Sequence, residues 1–266
     1  MIFSFLLFLL NCFPNYLTVF TLNKHEEKVL HNNVIETDKD ALRARFKPPA
    51  GYKRIHQTAN SFGHYLQNLP LKAEGSFVSY YDGRLKSNPG IYAGVVDLPI
   101  GNKNLHQCAD AVMRLRAEYL FKEQRYSDIH FNFLSDGKPR YYESFVNGDH
   151  GYPAFWKYME HIFEFANTTS LANELVSVSK PSLVKTGDVL IEKKSPYGHA
   201  VIIVDIAIHS SGKKLVLLAQ SYMPAQEIQI LTNPNNSSLS PWYELKNGQI
   251  ETPEWSFKSE HLRRFR

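Results

Sequence analysis

Two residues far apart in the chain are of the types that together carry out acyl transfer. One is Cys108, in the run HQCADAVMRLRAEYLFKE, and the other is His199, in SPYGHAVIIVD. A thiol attacks as its thiolate, and the first turn of a helix, with its partial positive charge, favours that form. Ala109, Val112, Met113, Arg116 and Leu120 recur at helical spacing. The run therefore predicts a helix with Cys108 in its first turn and Asn104 as an upstream cap. An imidazole beside the sulfur would hold the thiolate as an ion pair and then protonate a leaving amine. Backbone N–H groups at the helix start would serve as an oxyanion hole. His199 is the candidate imidazole: it opens a β-branched strand just after Gly198, which lets another segment approach closely.

A third residue must hold the imidazole in one tautomer. The strand KLVLLAQSYM, joined to the His199 strand by the hairpin HSSGKK, offers Gln220, Ser221 and Tyr222. With the hairpin centred at Ser211 and Gly212, Gln220 shares a face with His199 but stands out of register by roughly 13 Å, at about 3.3 Å per residue. A bulge or strong twist is needed to close that gap, so Ser221 and Tyr222 are alternatives. Asp205 is about 20 Å along the same strand as His199. Asp188, in TGD, reads as a turn residue. His106, His130 and His150 could join His199 around zinc, but the chain has no HxH, HExxH or CxxC spacing. No metal and no cofactor are expected.

The elements that must position these residues read as an α+β domain, with the Cys-bearing helix packed on an antiparallel sheet. Helices are expected near Asp40–Phe46, Ser61–Gln67 and Pro153–Val176. Strands are expected in GSFVSYYDGRLK, GIYAGVVDLPI, KTGDVLIE, GHAVIIVDIAI and KLVLLAQSYM. Residues 1–22 are nearly all apolar and predict a signal peptide or membrane anchor. LLNC, ending at Cys12, is close to a lipoprotein box, with Asn11 where a small residue is usual. Residues 23–47 read as a polar arm and 48–266 as the domain. The expectation is an exported protein of the periplasm or cell envelope, tethered by the anchor or a lipid and acting as a monomer. Without its leader the chain keeps only Cys108, so disulfides play no part. The net charge of +4 comes from scattered rather than clustered lysines and arginines, which argues against a nucleic-acid surface.

HQCADAVMRL, TGDVLI, GHAVIIVD and AQSY together resemble the CHAP and NlpC-type papain-like cysteine amidases and peptidases. That resemblance implies a papain-like fold, with Cys108 as nucleophile, His199 as general base and acid, and Gln220 orienting the imidazole. Gln107 and Tyr222 would then face the oxyanion or substrate. Thr186 stands where those families usually have proline before the Gly-Asp pair, and two strands precede the helix. RLRAEYL, GHAVIIVD, LLAQSYMPAQ and SPWY resemble an uncharacterised bacterial family of unknown function, over most of the chain after Pro48. The implied activity is cleavage of an amide in peptidoglycan stem peptides or cross-links. The alternative is a non-catalytic module that binds cell-wall glycan or peptide. Its 15 tyrosines and 17 phenylalanines would suit stacking on sugars, and Arg114 and Arg116 a substrate carboxylate.

Overall fold

In the computed structural model, residues 41–87 and 89–266 are described; the apolar segment 1–22, Cys12 and most of the polar arm lie outside them. The helices are α1 (Leu42–Arg45), α2 (Phe62–Gln67), α3 (Cys108–Lys122), α4 (Tyr142–Val146), α5 (Tyr152–Phe165) and α6 (Thr168–Glu174). The strands begin with β1 (Tyr52–Arg54), β2 (Tyr92–Val95), β3 (His130–Asn132), β4 (Pro139–Tyr141) and β5 (Val176–Ser177). The central ones follow: β6 (Val189–Glu192), β7 (His199–His209), β8 (Lys214–Gln220) and β9 (Gln229–Leu231). Last come β10 (Tyr243–Glu244), β11 (Gln249–Glu251), β12 (Ser256–Lys258) and β13 (Leu262–Arg264). The molecule is thus α+β, built around a nine-stranded antiparallel sheet: seven strands run in the order β2-β9-β8-β7-β6-β13-β5, while β1 pairs with β7 and β10 with β8.

β7 is the spine of that sheet. Its β-branched run suits a strand buried on both faces, and its alternation divides the core in two. Ala200, Ile202 and Val204 face the helices, where they join Val112 and Met113 of α3. Val201 and Ile203 face a second cluster closed over by Tyr243, Ile250 and Phe257 from the C-terminal segment. β8 pairs along one edge of β7. On the other edge β6 pairs with its first half and β1 with its second, so Glu192 lies opposite His199 and Arg54 opposite Ala207.

A bulge between Ile203 and Asp205 interrupts this pattern. Beyond it the parity reverses: Ile206 joins the second cluster and Ala207 the first. The fully buried Asp205 carboxylate is satisfied there by Arg54 Nε and Gln67 Nε2, both at 2.7 Å, and by the Ile206 N–H.

Four sequence expectations change. Residues 41–46 belong to the core rather than to an arm: Leu42 is fully buried and its N–H bonds the Leu69 carbonyl. The helix expected over Pro153–Val176 is two, because the Asn167 side chain accepts from the N–H groups of Thr169 and Ser170 and starts α6 afresh. GSFVSYYDGRLK forms only isolated bridges, Ser79 to Leu85 and Tyr80 to Gln226. The cap of α3 is Gln107, while the Asn104 side chain accepts from the Ala225 N–H at 2.8 Å. Among the described residues no helix is long and apolar enough to cross a membrane.

Candidate active site

Cys108 is the first residue of α3, and its side chain is buried where that helix meets the start of β7. Sγ lies 3.9 Å from Thr168 Oγ1 and 4.0 Å from the carbonyl oxygen of Gly198, the residue before His199. It makes no hydrogen bond to the His199 ring. Gly198 has no room for a side chain: a Cβ there would come 2.3 Å from the Glu192 carbonyl oxygen and 2.9 Å from the Thr168 methyl. The glycine thus allows α6, β6 and the thiol to converge on one strand end. A cysteine at a helix start is expected to ionise readily, and here the reverse holds. Burial, with the Asp110 carboxyl two residues on, pushes the thiol from 9.0 up to about 11, against smaller help from Thr168 and the Ala200 amide. That is about 3 kcal/mol against the thiolate. A helix terminus supplies only about 0.3–1 kcal/mol in the other direction, so desolvation wins.

His199 is buried at the head of β7. Its Nε2 lies 2.8 Å from Gln220 Oε1. The ring packs against Tyr222, Trp255 and Phe257, with centroids 4.8, 5.3 and 5.7 Å away. Burial lowers its pKa to about 4, the Gln220 bond opposing and Lys86 assisting. The imidazole is therefore neutral at physiological pH. Gln220 reaches it because the hairpin turns one position earlier than expected and the bulge in β7 removes another: Ile202 pairs with Ala219, which puts Gln220 diagonal to His199. The other end of the Gln220 amide donates to Glu254 Oε2 at 2.7 Å, and Lys86 Nζ reaches the same oxygen at 2.7 Å.

A family model described as a domain of unknown function (4846) matches residues 42–151 and 145–264. The chain belongs to that family. Comparison with curated proteins and with solved structures gives no match.

The remaining candidates of this domain-4846 chain divide clearly. Tyr222 sits on the His199 ring, with its hydroxyl 3.5 Å from the Glu254 carbonyl; burial, then the charges of Glu254 and Cys108, raises its pKa. Ser221 is engaged elsewhere, donating to the carbonyls of His106 and Gln226. Gln107 uses its N–H on Asp110 Oδ2 at 2.9 Å, and its side-chain amide reaches Asn104 Oδ1 at 3.4 Å. Asp188 pairs with Arg264 and accepts from the Lys185 N–H, so it fixes the turn before β6. Arg114 is fully buried over the Trp156 ring, out of reach of a dissolved carboxylate. Among the described residues no three His, Cys, Asp or Glu side chains gather as a metal site.

Nothing in the sequence singles out Lys86 and Glu254. Each is an ordinary charged residue in a turn-rich stretch, and they lie 168 positions apart. Glu254 and Trp255 also wall an open cleft of about 590 Å³ together with Glu192 and Lys194.

Proposed function

We propose that this chain is an exported cysteine hydrolase of papain-like fold that cleaves an amide bond in peptidoglycan stem peptides or cross-links. The observation that carries the reading is the 2.8 Å bond from His199 to Gln220, made at the strand end where the Cys108 sulfur comes within 4.0 Å of the Gly198 carbonyl. The cleft walled by Trp255 and Glu254 gives a peptide room to lie alongside that end of the sheet. The peptidoglycan assignment rests on the resemblance of HQCADAVMRL and GHAVIIVD to the amidase families.

In this reading a rotation of the Cys108 side chain away from Thr168 brings the thiol to the neutral imidazole, which takes its proton. The thiolate attacks the amide carbonyl, and the oxyanion is held by backbone N–H groups at the head of α3. The imidazolium gives its proton to the leaving amine, leaving an S-acyl enzyme. Water, losing a proton to the same imidazole, releases the carboxylic acid and restores the thiol.

A second reading follows from the thiol itself. With burial pushing its pKa up to about 11 and its sulfur against Thr168, Cys108 carries little thiolate as it stands, which suits a module that binds cell-wall glycan or peptide without cutting it. Purified sacculi and muropeptides incubated with wild type, Cys108→Ala and His199→Ala decide between them. New free amino groups with wild type alone support the hydrolase. Equal release by Cys108→Ala excludes thiol catalysis, and retention on sacculi without release establishes the binding module.

A further inference from the structure

A primary amide cannot orient an imidazole unaided, since its oxygen and nitrogen ends are nearly the same shape and exchange when it turns over. Gln220 is held at both ends. Its Nε2 donates to Glu254 Oε2 at 2.7 Å, and a carboxylate presents acceptors only. Turning the amide would place oxygen against oxygen at that distance. Oε1 therefore faces His199, and the nitrogen 2.8 Å from it, Nε2, must be the one that bears the proton.

The carboxylate is in turn provided with its counter-charge. Lys86 is a buried lysine, only 5% exposed, whose Nζ sits 2.7 Å from Glu254 Oε2 and 3.1 Å from Gln226 Oε1. The turn that carries Glu254 is tied down by Thr252, which donates to the Trp255 carbonyl. Trp255 Nε1 also donates to Glu192 Oε2, on the strand residue opposite His199. The Gln220 amide, set between the Glu254 carboxylate and the imidazole, thus has one orientation available.

We propose that Lys86 and Glu254 are positioning residues that act through Gln220 to fix His199 as its Nε2–H tautomer, leaving the lone pair on Nδ1. The assignment rests on the hydrolase reading for its use, because Nδ1 is then the base that receives the Cys108 proton. The tautomer itself is a property of the resting protein and is measured without substrate. Loss of activity in the sacculus assay and loss of the tautomer are therefore separate results.

Imidazole-¹⁵N-labelled full-length protein, with His199 assigned by its absence in His199→Gln, gives the tautomer directly from the two ring-nitrogen shifts. Wild type should show a protonated, pyrrole-type Nε2 and a lone-pair, pyridine-type Nδ1. Glu254→Gln, whose amide can either donate or accept, should add an Nδ1–H population that wild type lacks, and Glu254→Asp should suppress it again. Lys86→Met should shift the population in the same direction as Glu254→Gln. An Nδ1–H tautomer in wild type overturns the proposal whether or not the variants fold. So does an unchanged Nε2–H tautomer in folded Glu254→Gln.

Discussion

Asp110 should make this protein lose stability as pH rises, and Asp110→Asn should remove that loss. The carboxyl lies in the first turn of α3, buried, with Oδ2 accepting from the Gln107 N–H and Oδ1 without a hydrogen-bond partner. Burial raises its pKa from 3.8 to about 8, against the Gln107 bond. Between those values the unfolded chain carries the carboxylate while the folded chain keeps the proton. The native state therefore binds more protons, and stability falls with rising pH by about 1.4 kcal/mol per pH unit. It is fully present below the unfolded pKa and is lost as pH climbs through the folded one. Integrated from about pH 5 to about pH 9, the loss is roughly 4 kcal/mol. Asparagine keeps the shape and the acceptor for Gln107 and does not titrate. Urea unfolding followed by circular dichroism, on both proteins at both pH values, isolates the effect. The raised Glu174 and the lowered His106 and His199 are common to both and cancel in the difference. The stability of Asp110→Asn relative to wild type should rise by about 4 kcal/mol across that range. A difference that stays flat with pH refutes the reasoning.

Other outcomes are open to simple assays. At about pH 8, a thiol titrating near 11 rather than 9.0 exposes roughly 100-fold less thiolate, so iodoacetamide should label Cys108 far more slowly in folded than in urea-unfolded protein. Thr168→Val, which removes a group favouring the thiolate, should slow native labelling further; equal rates in all three samples would sink this account. Gly198→Ala pushes a Cβ against the Glu192 backbone and should cost about 1–3 kcal/mol, read as a lower Tm, whereas an unchanged melt would show that the strand end yields freely. Asp205→Ala strands Arg54 and Gln67 and should cost about 3–5 kcal/mol in urea unfolding, and a cost below about 1 kcal/mol would remove the pair as a fastening.

The sheet and the Cys108 helix were legible because their signals are local: β-branched runs for β6, β7 and β8, and helical spacing after Cys108. Gln220 was legible as a residue type but not as a partner. Its reach depends on a turn one position earlier and a bulge at Val204, and the bulge is stabilised by Arg54 and Gln67 from far upstream. The sequence points the wrong way on the charge state of Cys108, since a helix start announces itself in sequence and depth of burial does not. Residues 41–46 looked like an arm because charges surround them, yet Leu42 and Phe46 point into the core.

The two-part edge of β7 has a consequence in time. Arg54 on β1 and Asp205 on β7 are separated by 151 positions. At about 5–20 residues per second on the ribosome, β1 is complete roughly 8–30 s before its partner exists. The segment that waits is Tyr-Lys-Arg rather than a stretch of valine and isoleucine. The apolar half of the pairing, β7, is made last, when β6 has just been synthesised and β8 follows within a few residues. Order of manufacture and distribution of polarity thus run together: the early piece keeps well in water, and the late piece emerges beside its cover.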